Sequence, residues 1–402
     1  MDRSAYQIFT AGKIANLTLP NRLVRSATWE PSVICSRQVT DQVLDLYRAL
    51  ALGGVGLIIT GGFPVLERAI STNPGSAGKL RPYDDVRIDG IGKIAQVVHD
   101  SGTGCSVVAQ LEVGYLGAEP SEIDSPFREG KSRSLSTEEI RQVVDGFVQA
   151  IIGMKAAGFD GVQLHAAHGG LLSRFLSPYT NRRSDAYGGS AWNRARIVWE
   201  IISQARGSVG DWPILIKMNC TDYLEGGIDV DTFPELAAEV VRAGVDAIEI
   251  SGGMWDCLAR PEEELGFRRV PAPESHTCIN SPDKQSYFLE CARRLDVDVP
   301  VILVGGNRDI ERLEAMVRQG TVDFVALCRP LISEPDLPNR WREGRGSHTT
   351  DCISCNSCIH AMIVHPGREV PELATCVFKR DKQQHQMAQA WLASWTGKNV
   401  VA

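Results

Sequence analysis

Eight short runs rich in β-branched and other apolar residues recur along the chain, each stopping at a small, polar or charged residue. They fall at 23–27, 55–60, 106–110, 159–164, 214–218, 246–250, 300–304 and 323–327. Segments with helical spacing lie between them, such as 138–157 and 192–206. The first of these opens at Ser136-Thr137-Glu138-Glu139, a capping box ahead of the apolar face Ile140, Val143, Val144 and Phe147. Strand and helix alternating eight times predict an α/β chain folded as a closed (β/α)8 TIM barrel over residues 1–345, with a C-terminal extension, 346–402, packing on it. A doubly wound open sheet also alternates, but it calls for a glycine fingerprint after an early strand. Gly102-Thr103-Gly104 precedes the third run instead of following one, and reads as a helix-ending turn.

Composition narrows the partners. The chain has 402 residues, 43% of them hydrophobic, enough for a large core. Its formal net charge is -7 and no Lys/Arg-rich run occurs, so neither nucleic acid nor an anionic membrane is expected, and small molecules are. No apolar stretch approaches the roughly 20 residues of a membrane span, and the start, Met1-Asp2-Arg3-Ser4, leads into polar sequence. A cytoplasmic location is the expectation. Eleven scattered cysteines favour reduced thiols over a disulfide framework. A homo-oligomer is left open.

Chemistry in such a barrel sits at the carboxyl ends of the strands. After the second run come Gly61-Gly62. The third ends in Gln110, the fourth in His165 with His168 one helical turn on, and the fifth carries Lys217. Ser251-Gly252-Gly253 follows the sixth, Gly305-Gly306-Asn307-Arg308 the seventh, and Cys328-Arg329-Pro330 the eighth. Glycines after the last two strands leave backbone N–H groups free to wrap a phosphate, and Arg329 adds a permanently charged fork. Any one Gly-Gly pair alone would mean only a tight turn; together with the arginine they predict a phosphate corner. His165-x-x-His168 is not expected to bind metal, because zinc would need two more ligands.

The stretch 165–190, His165-Ala-Ala-His168-Gly169-Gly170 through Ser177-Pro178-Tyr179-Thr180-Asn181-Arg182-Arg183 to Tyr187-Gly188-Gly189-Ser190, resembles the signature of the old yellow enzyme family. Asn21-Arg22-Leu23-Val24, Gln110-Leu111, Asp222-Tyr223 and the two phosphate turns extend the resemblance over about residues 6–345. It implies an FMN enzyme that takes hydride from NAD(P)H and passes it to the activated C=C of an α,β-unsaturated carbonyl compound, both substrates using one site. By the same resemblance His165 and His168 donate hydrogen bonds to the substrate carbonyl, stabilising enolate charge as hydride arrives. Gln110 and Lys217 contact the flavin pyrimidine edge, and Ala27, Thr28 and Gly62 line the flavin. Gly305, Gly306, Asn307, Cys328 and Arg329 hold its phosphate end. Trp29 and Gly170 join the histidines on the substrate side, though Trp29 also reads as ordinary packing.

Departures from the family pattern carry information. Lys217 stands where an arginine is usual, keeping the charge without the bidentate fork; an interior lysine paired with a carboxylate is the plainer reading. Gly170 stands where many relatives place a proton-donating tyrosine. Proton delivery is then left to Tyr115, Tyr179, Tyr187 or a water, and the pocket gains room for a bulkier substrate. A redox-neutral isomerase, a dehydrogenase of a bulky natural product and a non-catalytic flavin binder all stay open. In the tail, Cys352, Cys355, Cys358 and Cys376 are similar to the four-cysteine cluster of multidomain relatives, at altered spacing. An iron–sulfur or zinc site there is left open, with His348, His360 and His365 nearby. Two long connections, 112–135 and 256–286, are expected to act as lids that set substrate choice, and Glu262-Glu263-Glu264 reads as a solvated face or a disordered insertion.

Overall fold

A computed structural model describes residues 3–30, 39–65, 85–114, 118–126, 131–270, 272–363 and 373–394. Cys35, Tyr115 and His365 lie outside the described residues.

The eight expected strands are present and all parallel: β1 (Leu23–Arg25), β2 (Leu57–Ile59), β3 (Ser106–Glu112), β4 (Gly161–Ala166), β5 (Ile214–Asn219), β6 (Ala247–Ser251), β7 (Val301–Leu303) and β8 (Phe324–Leu327). Each pairs with its neighbour in sequence, and β8 closes on β1 through Val325 opposite Leu23. Phe63–Pro64 adds a further short strand beside the end of β3. An antiparallel hairpin, Gly12–Ile14 with Leu17–Leu19, plugs the amino-terminal end by placing Ile14 and Leu19 among the interior residues.

Helices α1 (Asp41–Leu52), α2 (Asp85–His99), α3 (Thr137–Ala156), α4 (Ala191–Val209), α5 (Phe233–Arg242), α6 (Leu289–Arg293), α7 (Ile310–Arg318) and α8 (Leu337–Arg342) form the outer layer. α3 starts where the capping box predicts, with Ser136 Oγ accepting from Glu139 N and Glu139 returning the bond to Ser136 N. Its apolar face, with Ile140, Val144, Phe147 and Ile151, is buried against the outside of the barrel. Among the described residues no helix is long and apolar enough to cross a membrane.

Alternation along the strands sorts the interior into layers. Val107, Ala109 and Leu111 of β3, like Val162 and Leu164 of β4, point outward into the helix layer. The inward set begins apolar, with Val24, Leu57, Val108, Leu215, Ala247, Ile302 and Phe324 packed together. Towards the carboxyl ends it turns polar: Gln110, Gln163, His165, Lys217 and Glu249. Such a layer costs stability unless paired, so its polarity marks where function sits.

Three expectations about local structure change. The third strand runs past Gln110 to Glu112, and the fourth spans Gly161–Ala166, so His165 lies inside β4. His168 is not a helical turn further on; it stands in a bend at φ +58, followed by Gly169 at φ +81, and the next helix starts at Leu171. Of the two readings of Glu262–Glu264 the disordered insertion gives way to the solvated face: all three are exposed on a short helix, Glu262–Leu265, ended by left-handed Gly266.

Candidate active site

The polar layer is one hydrogen-bonded chain. Gln110 Nε2 donates to Gln163 Oε1 at 2.7 Å, and Gln163 Nε2 donates to Glu249 Oε2 at 2.8 Å. Glu249 Oε1 accepts from Ser26 Oγ at 2.6 Å and from Lys217 Nζ at 3.2 Å, while Lys217 Nζ also donates to Ser26 Oγ at 2.8 Å. Strand register sets this up, since Gln110 is level with Gln163, and Lys217 is flanked by His165 on one side and Glu249 on the other. Lys217 is therefore the carboxylate-paired interior lysine of the plainer reading, and it also faces a pocket.

That pocket lies at the ends of β1, β7 and β8. Ser26, Ala27, Lys217, Gly305, Gly306, Asn307, Arg308, Cys328 and Arg329 line it. Gly305 and Gly306 take φ +111 and +71, a backbone that side chains resist. Asn307 uses its side chain as a brace, donating to Leu303 O and Ala326 O while accepting from Ser286 Oγ, so it can serve a ligand only through its backbone. Thr28 Oγ1 lies 3.3 Å from Cys328 Sγ.

Arg329 is buried, and among the described residues only its Nη1 finds acceptors, His276 O and Asn356 Oδ1. The C-terminal extension thus reaches the phosphate corner: Asn356 also donates to Ser275 O, and Arg308 Nη1 donates to Ser354 Oγ at 2.6 Å. Above the corner, His276 stacks between Phe267 and Tyr287, each 4.0 Å away between ring centroids. Burial, with Arg329 nearby, lowers His276 to about 3. Glu274 lines the same pocket, and burial raises its carboxyl despite Lys217 and Arg329.

Beyond the polar layer stand the two histidines, their rings edge to face at 5.2 Å. Burial and then Lys217 lower His165 to about 3, and burial, His165 and Lys217 hold His168 well below its ordinary value. Both imidazoles are consequently neutral at pH 7 and can donate hydrogen bonds without carrying charge. His168 Nε2 is 2.7 Å from Ser251 Oγ, and its backbone N–H is held by Asn219 Oδ1. His165 Nδ1 is buried without a partner, a polar atom prepared for something else.

Trp29 is 37% exposed, which rules out core packing. Gly170 has room: a Cβ there would meet Ala167 O at 3.4 Å and both His165 O and Val113 O at 3.7 Å. Tyr187 is withdrawn as a proton source, because its hydroxyl donates to Glu200 on α4 and it packs on Phe175. Tyr179 lies against Arg182 and near the buried Arg174–Asp256 pair. That pair ties the two long connections together, for Arg174 also meets Glu119 at 3.3 Å, and Ser125 Oγ donates to Asp256.

Cys352, Cys355, Cys358 and Cys376 line one further pocket with Ile332, Val377 and Phe378. Burial raises the Cys358 thiol. Among the described residues no three His, Cys, Asp or Glu side chains are grouped closely enough to hold a metal ion.

Neutral donors, an interior cation and a glycine-and-arginine corner thus come together at the carboxyl ends of one TIM barrel. The chain belongs to the NADH:flavin oxidoreductase / NADH oxidase family, whose profile matches residues 7–348, and with it to the FMN-binding, NAD(P)H-reduced barrels. It is 33% identical over 370 residues to an NADH oxidase of Thermoanaerobacter brockii, covering 88% of this chain and 53% of that one. It is 34% identical over 351 residues to an NADH-dependent flavin oxidoreductase of Hypocrea jecorina, covering 80% and 85%. Several of these curated relatives are longer, and the chain spans about half of the NADH oxidase and of a metal reductase of Desulforamulus reducens, 53% and 50%. Among solved structures, morphinone reductase in complex with tetrahydroNAD superposes with a TM-score of 0.62 at 26% identity, covering 84% and 91%.

FMN fits the residues present. A phosphate would find the backbone of Gly305 and Gly306 and the unused donors of Arg329, and the pyrimidine edge would find Lys217 and Gln110. Gln163, Glu249, Asn219 and Glu274 were missed in the sequence, and Ser251 was read only as part of the turn after the sixth run. Period-two counting from Gln110, His165 and Lys217 was the available signal for Gln163 and Glu249.

Proposed function

We propose that this protein is an FMN-dependent ene-reductase, moving reducing equivalents from NAD(P)H to the activated C=C of an α,β-unsaturated carbonyl compound. The observation that carries the reading is the pair of neutral imidazoles, one with a buried, unpartnered Nδ1, above an interior lysine. FMN, when bound, supplies hydride acceptance from the nicotinamide and hydride donation to the substrate β-carbon. The chain's own residues do the rest. Gly305, Gly306, Arg329 and the Asn307 and Cys328 backbone anchor the cofactor, and Ala27, Thr28 and Gly62 line it.

Lys217 places positive charge at the pyrimidine end, where negative charge accumulates on reduction, and Glu249 moderates that charge. His165 and His168 donate to the substrate oxygen, stabilising it most as it becomes enolate; in a dry site this is worth more than water can provide. Trp29 and the space at Gly170 shape the substrate side. Cinnamate reductase of Clostridium sporogenes, 28% identical, and morphinone reductase bear names of enone-like chemistry, which supports the choice of substrate class. The test is the absorption spectrum of the purified protein under anaerobiosis. Bleaching by NADH or NADPH and recovery with 2-cyclohexenone or a bulkier enone is expected; bleaching without recovery by any enone would overturn the reading.

A further inference from the structure

Reduction of an activated C=C needs a proton at the α-carbon as well as hydride at the β-carbon, and Gly170 has no side chain to give one. Strand β3 brings an acid to the place. Glu112 has the same parity as Gln110, whereas Val107, Ala109 and Leu111 face the helices, so its side chain is directed towards the barrel axis one layer above Gln110. The β3–β4 register ends with Leu111 opposite Leu164. The next residues on the two neighbouring strands are Glu112 and His165.

The Glu112 carboxyl leans over the end of β2, where a Cβ on Gly62 would fall 2.5 Å from Glu112 Cδ. Glu112 is also one residue from Val113, whose carbonyl lies 3.7 Å from where a Gly170 side chain would begin. Building on the ene-reductase reading, we propose that Glu112 is the proton donor to the substrate α-carbon, replacing the side chain that Gly170 lacks. A carbonyl oxygen held by His165 and His168 has its α-carbon two bonds away, on the layer that Glu112 occupies.

The step balances. The C=C π pair passes to the α-carbon and carbonyl as hydride, ultimately from NAD(P)H, arrives at the β-carbon. The Glu112 O–H bond breaks, its proton forms the new α-C–H bond, and the carbonyl is restored. The resulting carboxylate recovers a proton from water. Burial alone raises the Glu112 carboxyl to about 6, close enough to neutrality to give and regain a proton in each turnover. On the neighbouring strand β4 the titratable group of the same face is His165, with Lys217 one strand further round; Gly61 to Pro64, beside the carboxyl, carry none. Glu30, which holds the Gly61 N–H, is itself paired with Arg25.

The experiment uses the full, flavin-loaded chain, reduced anaerobically by NADPH or NADH and mixed with 2-cyclohexenone across pH 5 to 8. Wild-type reoxidation should slow as pH rises through about 6. Glu112→Gln should slow it about 100-fold and erase that pH limb, and Glu112→Asp should restore a limb at a shifted pH. Flavin absorbance reports that both variants fold. A Glu112→Gln rate and pH profile matching wild type would overturn the proton assignment. Wild-type protein that is reduced by nicotinamide but reoxidised by no enone would instead sink the ene-reductase reading, and the proton assignment with it.

Discussion

Lys217 Nζ lies 3.2 Å from Glu249 Oε1, inside the barrel and in register on adjacent strands. The carboxylate offsets the lysine's charge at the end of the pocket where a reduced flavin becomes anionic. Glu249→Gln should therefore raise the flavin midpoint potential by about 30 mV, one factor of ten in a two-electron equilibrium. Spectroelectrochemistry measures it, and a potential lowered by the change would place Lys217 away from the flavin.

Replacing both His165 and His168 by alanine removes the two donors proposed for the substrate oxygen but leaves the phosphate corner intact. Binding of phenolic ligands, seen as long-wavelength absorbance, should be lost while flavin stays bound. Phenol binding that survives the double substitution would refute the donor role.

Gly170→Tyr restores the family side chain where a Cβ meets only ordinary contacts, the nearest at 3.4 Å. Turnover of 2-cyclohexenone should rise about tenfold, and a bulky enone should lose affinity. Steady-state kinetics on the two substrates separates proton supply from pocket volume.

Glu274 brings a carboxyl into the pocket proposed for a phosphate. Glu274→Gln should tighten FMN binding by the apoprotein about tenfold, or ~1.4 kcal/mol, in a fluorescence-quenching titration. An unaltered dissociation constant would show that the carboxyl swings clear as flavin enters.

His276, lowered to about 3, stays neutral in the native protein at pH values where the unfolded chain has already bound a proton. The unfolded state thus holds more protons between about 6.5 and 3, and the contribution of His276 is lost as pH falls through that window. It adds up to about 1.4 kcal/mol per pH unit to the slope. Glu112 and Glu274, raised by burial, act with the opposite sign. Urea unfolding from pH 6.5 to 4.5 should show a shallower slope for His276→Asn than for wild type.

The barrel was legible because eight β-branched runs and the α3 capping box are local signals that the tertiary fold does not override. The glycines and arginine after the last strands were legible for the same reason, and the structure gathers them round one pocket. Pairing across the barrel was not. Glu249 and Ser26 are 223 residues apart, and nothing near either of them in sequence marks the contact. Glu112 was hidden because the third run was ended at Gln110, one inward position too early. His168 was read as helical because the bend at positive φ has no distinctive residue apart from the glycines after it.

Closure of β8 on β1 joins the earliest barrel strand to the latest, and Ser354 and Asn356 reach the phosphate corner from beyond the barrel. A ribosome makes these parts in order, so the corner cannot be assembled while the chain is still emerging. Cofactor capture is thereby deferred until Asn356 has emerged, and a nascent chain arrested before residue 354 would carry most of the barrel but an unfinished berth for FMN.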